Sequence, residues 1–323
     1  MAALAWMQAA LGGLFGLLVG SFLNVVIYRL PKMMERQWAA ECAAMTGVTD
    51  DFGDLAQPAV EGRFNLALPR SHCPRCGHPI RWFENIPILS YLLLRGRCSA
   101  CKTPIGPRYP AVELVTGLLF AWCVWHWGWL GDWRWNWHGV SIWGWTVGWI
   151  SGWIWAAAAW CAFAATLVAL TLIDWDTTLL PDDLTLPLLW GGLIASMMGW
   201  SGVALPEAVS GAIGGYLSLW LVYWAFKLLT GKEGMGYGDF KLFAALGAWF
   251  GWQALAPIIL MASVIGAVVG IGLKLRRSLR EGGIVPFGPF LALAGITAMI
   301  FGPRAILCVA AMILAPILRA IGL

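Results

Sequence analysis

The sequence predicts an all-α polytopic integral membrane protein with eight or nine transmembrane helices. Of its 323 residues, 60% are hydrophobic and only 12% are charged, a balance that excludes the ordinary water-soluble globular class. Several apolar runs are long enough to cross a bilayer core of about 30 Å. These runs cover 4–28, 111–130, 149–173, 186–203, 207–229, 242–273 and 287–320. The last two are long enough to fold back as hairpins, which gives the eight or nine helices.

The charge distribution predicts the orientation of these helices. Basic residues concentrate in two polar segments, one between Arg29 and Arg108 and one between Lys274 and Arg280. Because positively charged loops tend to stay in the cytoplasm, both segments are predicted to be cytoplasmic. Alternation of the helices then places the connections 174–183 and 230–241 on the same side. No charge precedes the first apolar run and no cleavage site follows it, so we expect a retained helix and not a signal peptide.

We expect three parts along the chain. Residues 1–30 form a first transmembrane helix ending near Pro31, residues 31–110 form a cytoplasmic loop, and residues 111–323 form a membrane-embedded helical domain. Within the loop, residues 33–62 are polar and mildly acidic, which predicts a short helix followed by an irregular segment.

Tryptophan is dense between Trp122 and Trp160. Since indole prefers the headgroup layer, this stretch predicts an aromatic belt at the outer face around a short loop at 131–141. Four cysteines have no partner at a motif spacing and are predicted to be free apolar residues; they are Cys42, Cys123, Cys161 and Cys308.

Two Cys-x-x-Cys turns of the same design predict a metal site in the cytoplasmic loop. Cys73 and Cys76 form the first pair, and Cys98 and Cys101 form the second. Their spacing is typical of a four-cysteine zinc ribbon over 73–105, in which four thiolates make a closed, structural site. Disulfides are the alternative, but a cytoplasmic loop is reducing.

Some polar residues near these turns have open roles. His72 and His78 are either substitute metal ligands or polar neighbours of the cysteines. Glu84 and Gly96 lie between the two turns and serve either a functional site or an ordinary turn. Ser21 and Asn24, one helical turn apart in the first apolar run, are predicted to hydrogen-bond a neighbouring helix.

The strongest candidate for chemistry within the membrane domain is the Gly236-Tyr237-Gly238-Asp239 motif. An acidic residue beside the hydrocarbon layer costs roughly 2.5–3.5 kcal/mol, so it is usually retained for a function or a partner. Asp239 is either such a residue or the N-cap of the helix that follows. Lys241 is either a partner for its carboxylate or a headgroup contact.

A second acidic candidate ends the run at 149–173. Asp174 directly follows the apolar residues, and Asp176 is its competitor two positions later. Pro181 predicts the start of the next helix, which makes Asp182 or Asp183 a predicted cap. The segment 286–289 is predicted to begin a further helix with prolines in its first turn. We expect these residues to serve helix packing.

These motifs, in this order, resemble the type IV prepilin peptidases, which are intramembrane aspartic proteases of the Gly-x-Gly-Asp group. The resemblance covers residues 20–31, 73–117, 172–190, 216–247 and 286–289. The family's first catalytic aspartate begins an Asp-x-x-x-x-x-x-Pro-Asp pattern, which Asp174 fits through Pro181 and Asp182, and the second falls on Asp239. This pattern favours Asp174 over Asp176, with Gly236, Gly238 and Lys241 as supporting residues. The tryptophan-rich stretch and residues 33–62 depart from the family.

The resemblance implies a function. Such enzymes cleave a short basic leader from type IV prepilins, and from the pseudopilins of type II secretion, after a glycine at the cytoplasmic face of the bacterial inner membrane. Longer members also methylate the new N-terminal amine with S-adenosylmethionine, an activity that accompanies the cysteine-bearing loop. Glu84 and Gly96 are the candidates for this second step. Two nearby carboxyl groups can share one proton, so one activates water while the other polarises the scissile carbonyl.

Besides prepilins, zinc and the methyl donor, the lipid bilayer is an expected partner and nucleic acid is not.

Two rival hypotheses remain. An ion-coupled transporter also uses intramembrane aspartates and glycine-broken helices, but predicts inverted repeats that the sequence lacks. A zinc-ribbon membrane assembly factor treats the aspartates as caps and predicts that both can be replaced freely.

Overall fold

The computed structural model describes residues 2–46, 64–127, 148–232, 234–276 and 285–306. Within these ranges the chain is helical, and its only β-structure is two isolated bridges, His72 to Pro79 and Arg97 to Pro104. The helices are α1 (Ala2–Thr46), α2 (Leu89–Leu93), α3 (Arg108–Trp127), α4 (Gly148–Thr177), α5 (Asp182–Met197), α6 (Leu205–Thr230), α7 (Tyr237–Phe250), α8 (Leu255–Leu275) and α9 (Gly288–Phe301). The predicted all-α class is confirmed.

The described part of the chain contains four helices that are long and apolar enough to cross a membrane. They cover Ala3–Met45, Ile154–Thr177, Leu205–Thr230 and Trp252–Leu275, and Gly288–Phe301 is a shorter apolar helix. Large apolar side chains on α1, such as Trp6, Leu11 and Phe15, are more than half exposed, as expected for a lipid-facing surface. The chain is a membrane protein, while the count of eight or nine spans stays a prediction.

The first helix is longer than the sequence predicted. It continues through Pro31 to Thr46, so the expected end at Pro31 is wrong. Proline removes one backbone hydrogen bond, but the residues that follow it are rich in good helix formers such as Met33, Glu35 and Ala39. The helix therefore extends into the predicted polar loop, and residues 47–63 lie outside the described part of the chain.

The chain divides into two compact units, residues 6–122 and residues 123–323 with 1–5. The three-part division predicted at 30/31 and 110/111 stays a prediction. In the 6–122 unit, α1 and α3 pack through small residues. A methyl group on Gly16 would lie 2.6 Å from Phe120 Cβ, and one on Gly20 would lie 2.7 Å from Glu113 Cα. Because the backbones approach so closely, side chains beside these glycines on α1 come to lie next to those of α3.

Asn24 takes part in this packing as predicted. Its Nδ2 donates a hydrogen bond to the Tyr109 carbonyl at 3.2 Å. An amide at this position therefore joins α1 to the first turn of α3.

In the 123–323 unit, α7 packs against α5 and α6, and α4 packs against α9. The backbones of α6 and α7 touch at Gly211 and Gly247, and Trp249 Nε1 donates to the Leu188 carbonyl of α5 at 2.9 Å. The apolar run 242–273 folds back between α7 and α8, as predicted, at Gly251 with φ of 80°. Because α7 is buried by its neighbours, its N-terminus is held in one position.

Aromatic residues cluster inside this unit. Trp160 is 3% exposed, stacks on Trp127 with 4.5 Å between ring centroids, and contacts Trp249 and Phe163. The belt prediction is therefore wrong for Trp160, which is a core residue because neighbouring helices supply other aromatic rings. The predicted loop at 131–141 lies outside the described residues.

Two of the cysteines predicted to be free apolar residues are confirmed as such. Cys123 and Cys161 are free and buried, and their thiols hydrogen-bond to each other between α3 and α4. Cys42 is an exposed free cysteine, and Cys308 lies outside the described residues.

Candidate active site and metal centre

Asp174 lies in the last turn of α4. The helix ends three residues later because Thr178 adopts a positive φ of 58° and donates its N–H to the Asp174 carbonyl at 2.8 Å. The side chain of Asp174 is only 4% exposed, whereas Asp176 is exposed. Of the two competitors in the sequence, Asp174 is thus the one enclosed by protein.

Asp239 lies in the first turn of α7 and is 7% exposed. The N-cap residue of this helix is Gly236, and no side chain makes a capping hydrogen bond there. Asp239 Oδ1 is buried and accepts no hydrogen bond from the described residues. Asp239 is therefore not the N-cap residue of α7, although the Gly236 backbone hydrogen-bonds to its carboxyl group. Burying the remaining oxygen without a partner is costly.

The two aspartates lie within electrostatic reach of each other, since the charge of Asp174 acts on Asp239. Leu180 packs against Gly238, the neighbour of Asp239, and against Gly288. A methyl group on Gly238 would lie 2.6 Å from Leu180 Cβ, and one on Gly288 would lie 3.0 Å from Leu180 Cδ1 and 2.5 Å from Asp174 Oδ2. The end of α4 and the starts of α7 and α9 therefore meet at one point.

Sequence reasoning missed Gly288. The segment 286–289 was assigned to packing, although it places a residue without a side chain directly against the Asp174 carboxyl group. The available signal was a glycine between an aromatic residue and a proline at a helix start, where close approach of another group often requires glycine.

The four cysteines of the ribbon come together in the 6–122 unit. All four Sγ atoms lie within 4.8 Å of one another, and Cys73 to Cys101 and Cys76 to Cys98 are 3.7 and 4.0 Å apart. All four are free thiols. Thiolates on a tetrahedral zinc ion lie about 3.8 Å apart, since each Zn–S bond is about 2.3 Å.

The two turns share their backbone geometry. Gly77 donates its N–H to the Cys73 carbonyl and Lys102 donates to the Cys98 carbonyl, and both donors have positive φ, 70° and 59°. His72 and His78 are not part of the cluster. The donor set is therefore four sulfurs, the closed set of a structural site.

The thiols of the cluster differ in pKa. The hydroxyl and backbone N–H of Thr103 lower the pKa of Cys101 to about 6. At Cys76 the backbone N–H of His78 lowers the pKa, but desolvation and the neighbouring thiols outweigh it and raise the pKa to about 11. Four negative thiolates repel one another, so a dication at their centre supplies the charge that lets all four ionise.

Two family models match the chain. The bacterial peptidase A24 N-terminal domain matches residues 14–127, and the type IV leader peptidase family matches residues 161–271. The chain is 50% identical to the prepilin leader peptidase/N-methyltransferase of Aeromonas salmonicida over 299 residues, which covers 93% of this chain and 92% of the relative.

Two further relatives carry the same name. The Pseudomonas aeruginosa protein is 50% identical over 291 residues, covering 90% of this chain and 89% of the relative. The Burkholderia pseudomallei protein is 47% identical over 296 residues, covering 92% and 86%. No solved structure matches the chain significantly.

The chain belongs to the type IV leader peptidase family. The resemblance predicted from the motifs is thereby confirmed, and the membrane protein described above is a protease of this family.

In this type IV leader peptidase, Lys241 does not pair with Asp239. Its Nζ lies 2.6 and 2.7 Å from the two carboxylate oxygens of Asp182, because residues two positions apart on a helix point in different directions. The N-cap of α5 is Pro181, so the prediction that Asp182 or Asp183 caps this helix is wrong. The ion pair joins α5 to α7 next to the site.

Glu84 and Gly96 lie in the ribbon segment of this leader peptidase. Hydrogen bonds from the Arg81 backbone N–H, at 2.9 Å, and from Ser99 lower the pKa of Glu84. Gly96 has φ of 65°, and a methyl group there would lie 2.9 Å from the Tyr91 ring and hydroxyl. Neither residue is part of the metal cluster.

Proposed function

We propose that this protein removes the leader peptide from type IV prepilins and then methylates the new N-terminal amine. The observation that carries the cleavage half is the pair of buried aspartates, Asp174 and Asp239, brought within electrostatic reach by α4 and α7. The methylation half is supported by relatives that are half identical over nearly their whole length and bear both activities in their name.

The dyad performs hydrolysis by sharing one proton. Two close carboxyl groups do not readily ionise together, so one holds a proton and the other is free to take one from water. The resulting hydroxide attacks the scissile carbonyl while the protonated carboxyl group donates a hydrogen bond to its oxygen. The proton taken from water then passes to the leaving amine.

The helix ends act differently on the two carboxyl groups. Asp239 lies in the first turn of α7, where the helix dipole favours a negative charge, and Asp174 lies in the last turn of α4, where the dipole disfavours one. The proposal requires only that the pair shares one proton, with one aspartate holding it while the other activates water.

The remaining roles extend this proposal. Gly238 and Gly288 leave space for Leu180 and for the Asp174 carboxyl group, Gly236 caps α7, and Lys241 fixes α7 to α5 through Asp182. The substrates we propose are prepilins and pseudopilins whose basic leader ends in glycine. We place the enzyme in the bacterial inner membrane, in contact with lipid, with the dyad facing the cytoplasm, because the basic segments are predicted to lie there.

For the ribbon we propose a structural zinc ion held by Cys73, Cys76, Cys98 and Cys101, which fit its distances and donor type. S-adenosylmethionine is the proposed methyl donor, and when bound it supplies a methyl group on a sulfonium centre.

The proposal is tested by intact-mass analysis of a prepilin incubated in detergent with the enzyme and S-adenosylmethionine. The expected product has lost its leader and gained one methyl group. An unchanged substrate mass, beside a related peptidase that works under the same conditions, would overturn the proposal.

A further inference from the structure

A cavity of about 500 Å³ lies in the 6–122 unit, where α1, the ribbon and α3 enclose it. Sites for small molecules in proteins are typically roughly 300–1,000 Å³ and are mostly apolar with a few placed polar groups. This cavity fits that description. Its wall includes Asn24, Tyr28, Glu84, Tyr91, Tyr109 and Glu113.

Glu113 is the most deeply buried acidic residue on this wall, at 9% exposed, and the wall also carries the buried Arg29 at 7%. Its Oε2 accepts the Ile88 N–H at 2.7 Å, and the Ser21 side chain also hydrogen-bonds to it. The N–H donor belongs to Ile88, whose backbone has a φ of 58°. β-Branched residues rarely adopt this conformation. These two hydrogen bonds fix the carboxyl group of Glu113 against the cavity.

The wall favours a cationic ligand with a flat ring. Glu84 adds a second carboxylate, which lies 3.6 Å from His78 Nε2 on the same wall. The tyrosines Tyr28, Tyr91 and Tyr109 add aromatic faces, which attract cations and stack on nucleobases. Arg29 also lines the cavity, but its guanidinium donates to the carbonyls of Asn65 and Pro69 at 2.9 and 2.6 Å.

S-adenosylmethionine has this chemistry, with a sulfonium, an ammonium group and an adenine ring. We propose that the cavity binds it, with Glu113 as the principal anionic contact; this proposal rests on the methyl-transfer half of the proposed function. It gives Gly96 a role, because any side chain there would displace Tyr91 from the wall. It also links the ribbon to methylation, because Cys73 and Cys98 form part of the same wall.

The deciding experiment is photo-crosslinking of the full-length enzyme in detergent with radiolabelled S-adenosylmethionine, followed by mass spectrometry of the labelled peptide. We expect the label on a peptide containing Tyr28, Tyr91 or Tyr109, and expect excess S-adenosylhomocysteine to displace it. A label confined to residues 148–306 would overturn the site.

Equilibrium binding measures the contribution of the charge. Glu113→Gln keeps a side-chain oxygen for the Ile88 N–H but removes the charge, so we expect at least about a tenfold weaker affinity for S-adenosylmethionine. Glu207→Gln, an exposed residue of α6, is the matched control and keeps wild-type affinity. Equal affinity of both variants would overturn the role of Glu113.

The same samples separate failure of this proposal from failure of the proposed function. If the wild-type enzyme methylates a cleaved pilin but is labelled outside the cavity, only the site is wrong. If the wild-type enzyme neither binds S-adenosylmethionine nor methylates, the methyl-transfer function itself fails.

Discussion

The two units hold their acidic side chains in opposite ways. In the 123–323 unit, Asp174 and Asp239 are enclosed by apolar helices, and Asp239 Oδ1 accepts no hydrogen bond from the described residues. In the 6–122 unit, Glu84 and Glu113 accept backbone N–H groups from Arg81 and Ile88. Both units bury carboxyl groups, but in the 123–323 unit one oxygen of each aspartate, Asp174 Oδ2 and Asp239 Oδ1, is buried without a hydrogen bond from the described residues.

This difference matches the chemistry assigned to each unit. Hydrogen bonds from the Arg81 backbone and from Ser99 lower the pKa of Glu84, which favours its ionised form and suits the binding of a cation. Two poorly solvated carboxyl groups close together exchange a proton easily, which suits hydrolysis. If the comparison is correct, damage to one unit removes one activity and spares the other.

The largest effect is expected at the dyad. Asp174→Asn or Asp239→Asn removes the carboxyl group that takes or donates a proton, so leader cleavage falls by at least about 10³-fold. Initial cleavage rates measured by intact mass check this. Asp176→Asn is the control, because this exposed residue lies outside the site. Robust cleavage by both dyad variants would favour the transporter or assembly-factor hypotheses.

Removal of the proposed zinc ion is expected to have the next largest effect. Stripping zinc with a chelator, or Cys98→Ser, leaves uncompensated thiolates and loosens the cavity wall, so methylation is lost while most cleavage remains. Elemental analysis and product mass on the same samples check this. Purified enzyme that contains no zinc while all four cysteines are reduced would contradict the metal site.

A smaller effect is expected at Gly288. Alanine there places a methyl group 2.5 Å from Asp174 Oδ2, and a displacement near 1 Å in an active site can cost about 10²-fold, so we expect a 10- to 100-fold slower cleavage. The control is Gly272→Ala in α8, where the added methyl group meets no atom within 4 Å. Equal rates for the two variants would show that Asp174 tolerates displacement.

Gly96 offers a matched pair in the other unit. Gly96→Ala and Gly77→Ala both strain a positive φ, but only the first pushes against Tyr91. The strain costs each variant about 1–2 kcal/mol of stability. We expect only Gly96→Ala to weaken S-adenosylmethionine binding, by roughly the tenfold that 1.4 kcal/mol represents. A similar loss of binding in Gly77→Ala would make the effect one of ribbon stability.

The smallest effect is expected at the ion pair. Lys241 and Asp182 are 30% and 53% exposed in their side chains, and pairs in contact with solvent contribute about 0–1 kcal/mol. Lys241→Met and Asp182→Asn should therefore lower stability slightly, and the double variant should lose little more than either single one. A thermal unfolding cycle of the four proteins checks this. A loss of cleavage comparable to that of Asp239→Asn would place Lys241 in the chemistry.

The sequence motifs predicted the family. They also predicted which residues lie close together in the structure, wherever the spacing along the chain is itself characteristic of a site. Each Cys-x-x-Cys turn is a local motif, and two such turns at this spacing are typical of one four-cysteine metal site. The approach of Cys73 to Cys101 was therefore predictable. The meeting of Asp174 with Asp239 came from a resemblance to known enzymes, because no short-range rule brings the end of α4 to the start of α7.

Other features depend on tertiary packing and were not predictable. The continuation of α1 past Pro31 depends on the residues that follow, which outweigh one lost hydrogen bond. Lys241 pairs with Asp182 because of the direction in which α7 presents it. The roles of Gly288 and Trp160 depend on which helices pack nearby, and composition does not carry that information.

The most direct test of the account supplies each variant with both substrates, an intact prepilin and a pilin already cleaved, together with S-adenosylmethionine, and measures product masses. We expect that Asp239→Asn methylates the cleaved pilin but leaves the prepilin whole, and that enzyme treated with a zinc chelator cleaves the prepilin but adds no methyl group. If either treatment abolishes both activities in an enzyme that remains folded, the two units do not carry separate chemistries and the account is contradicted.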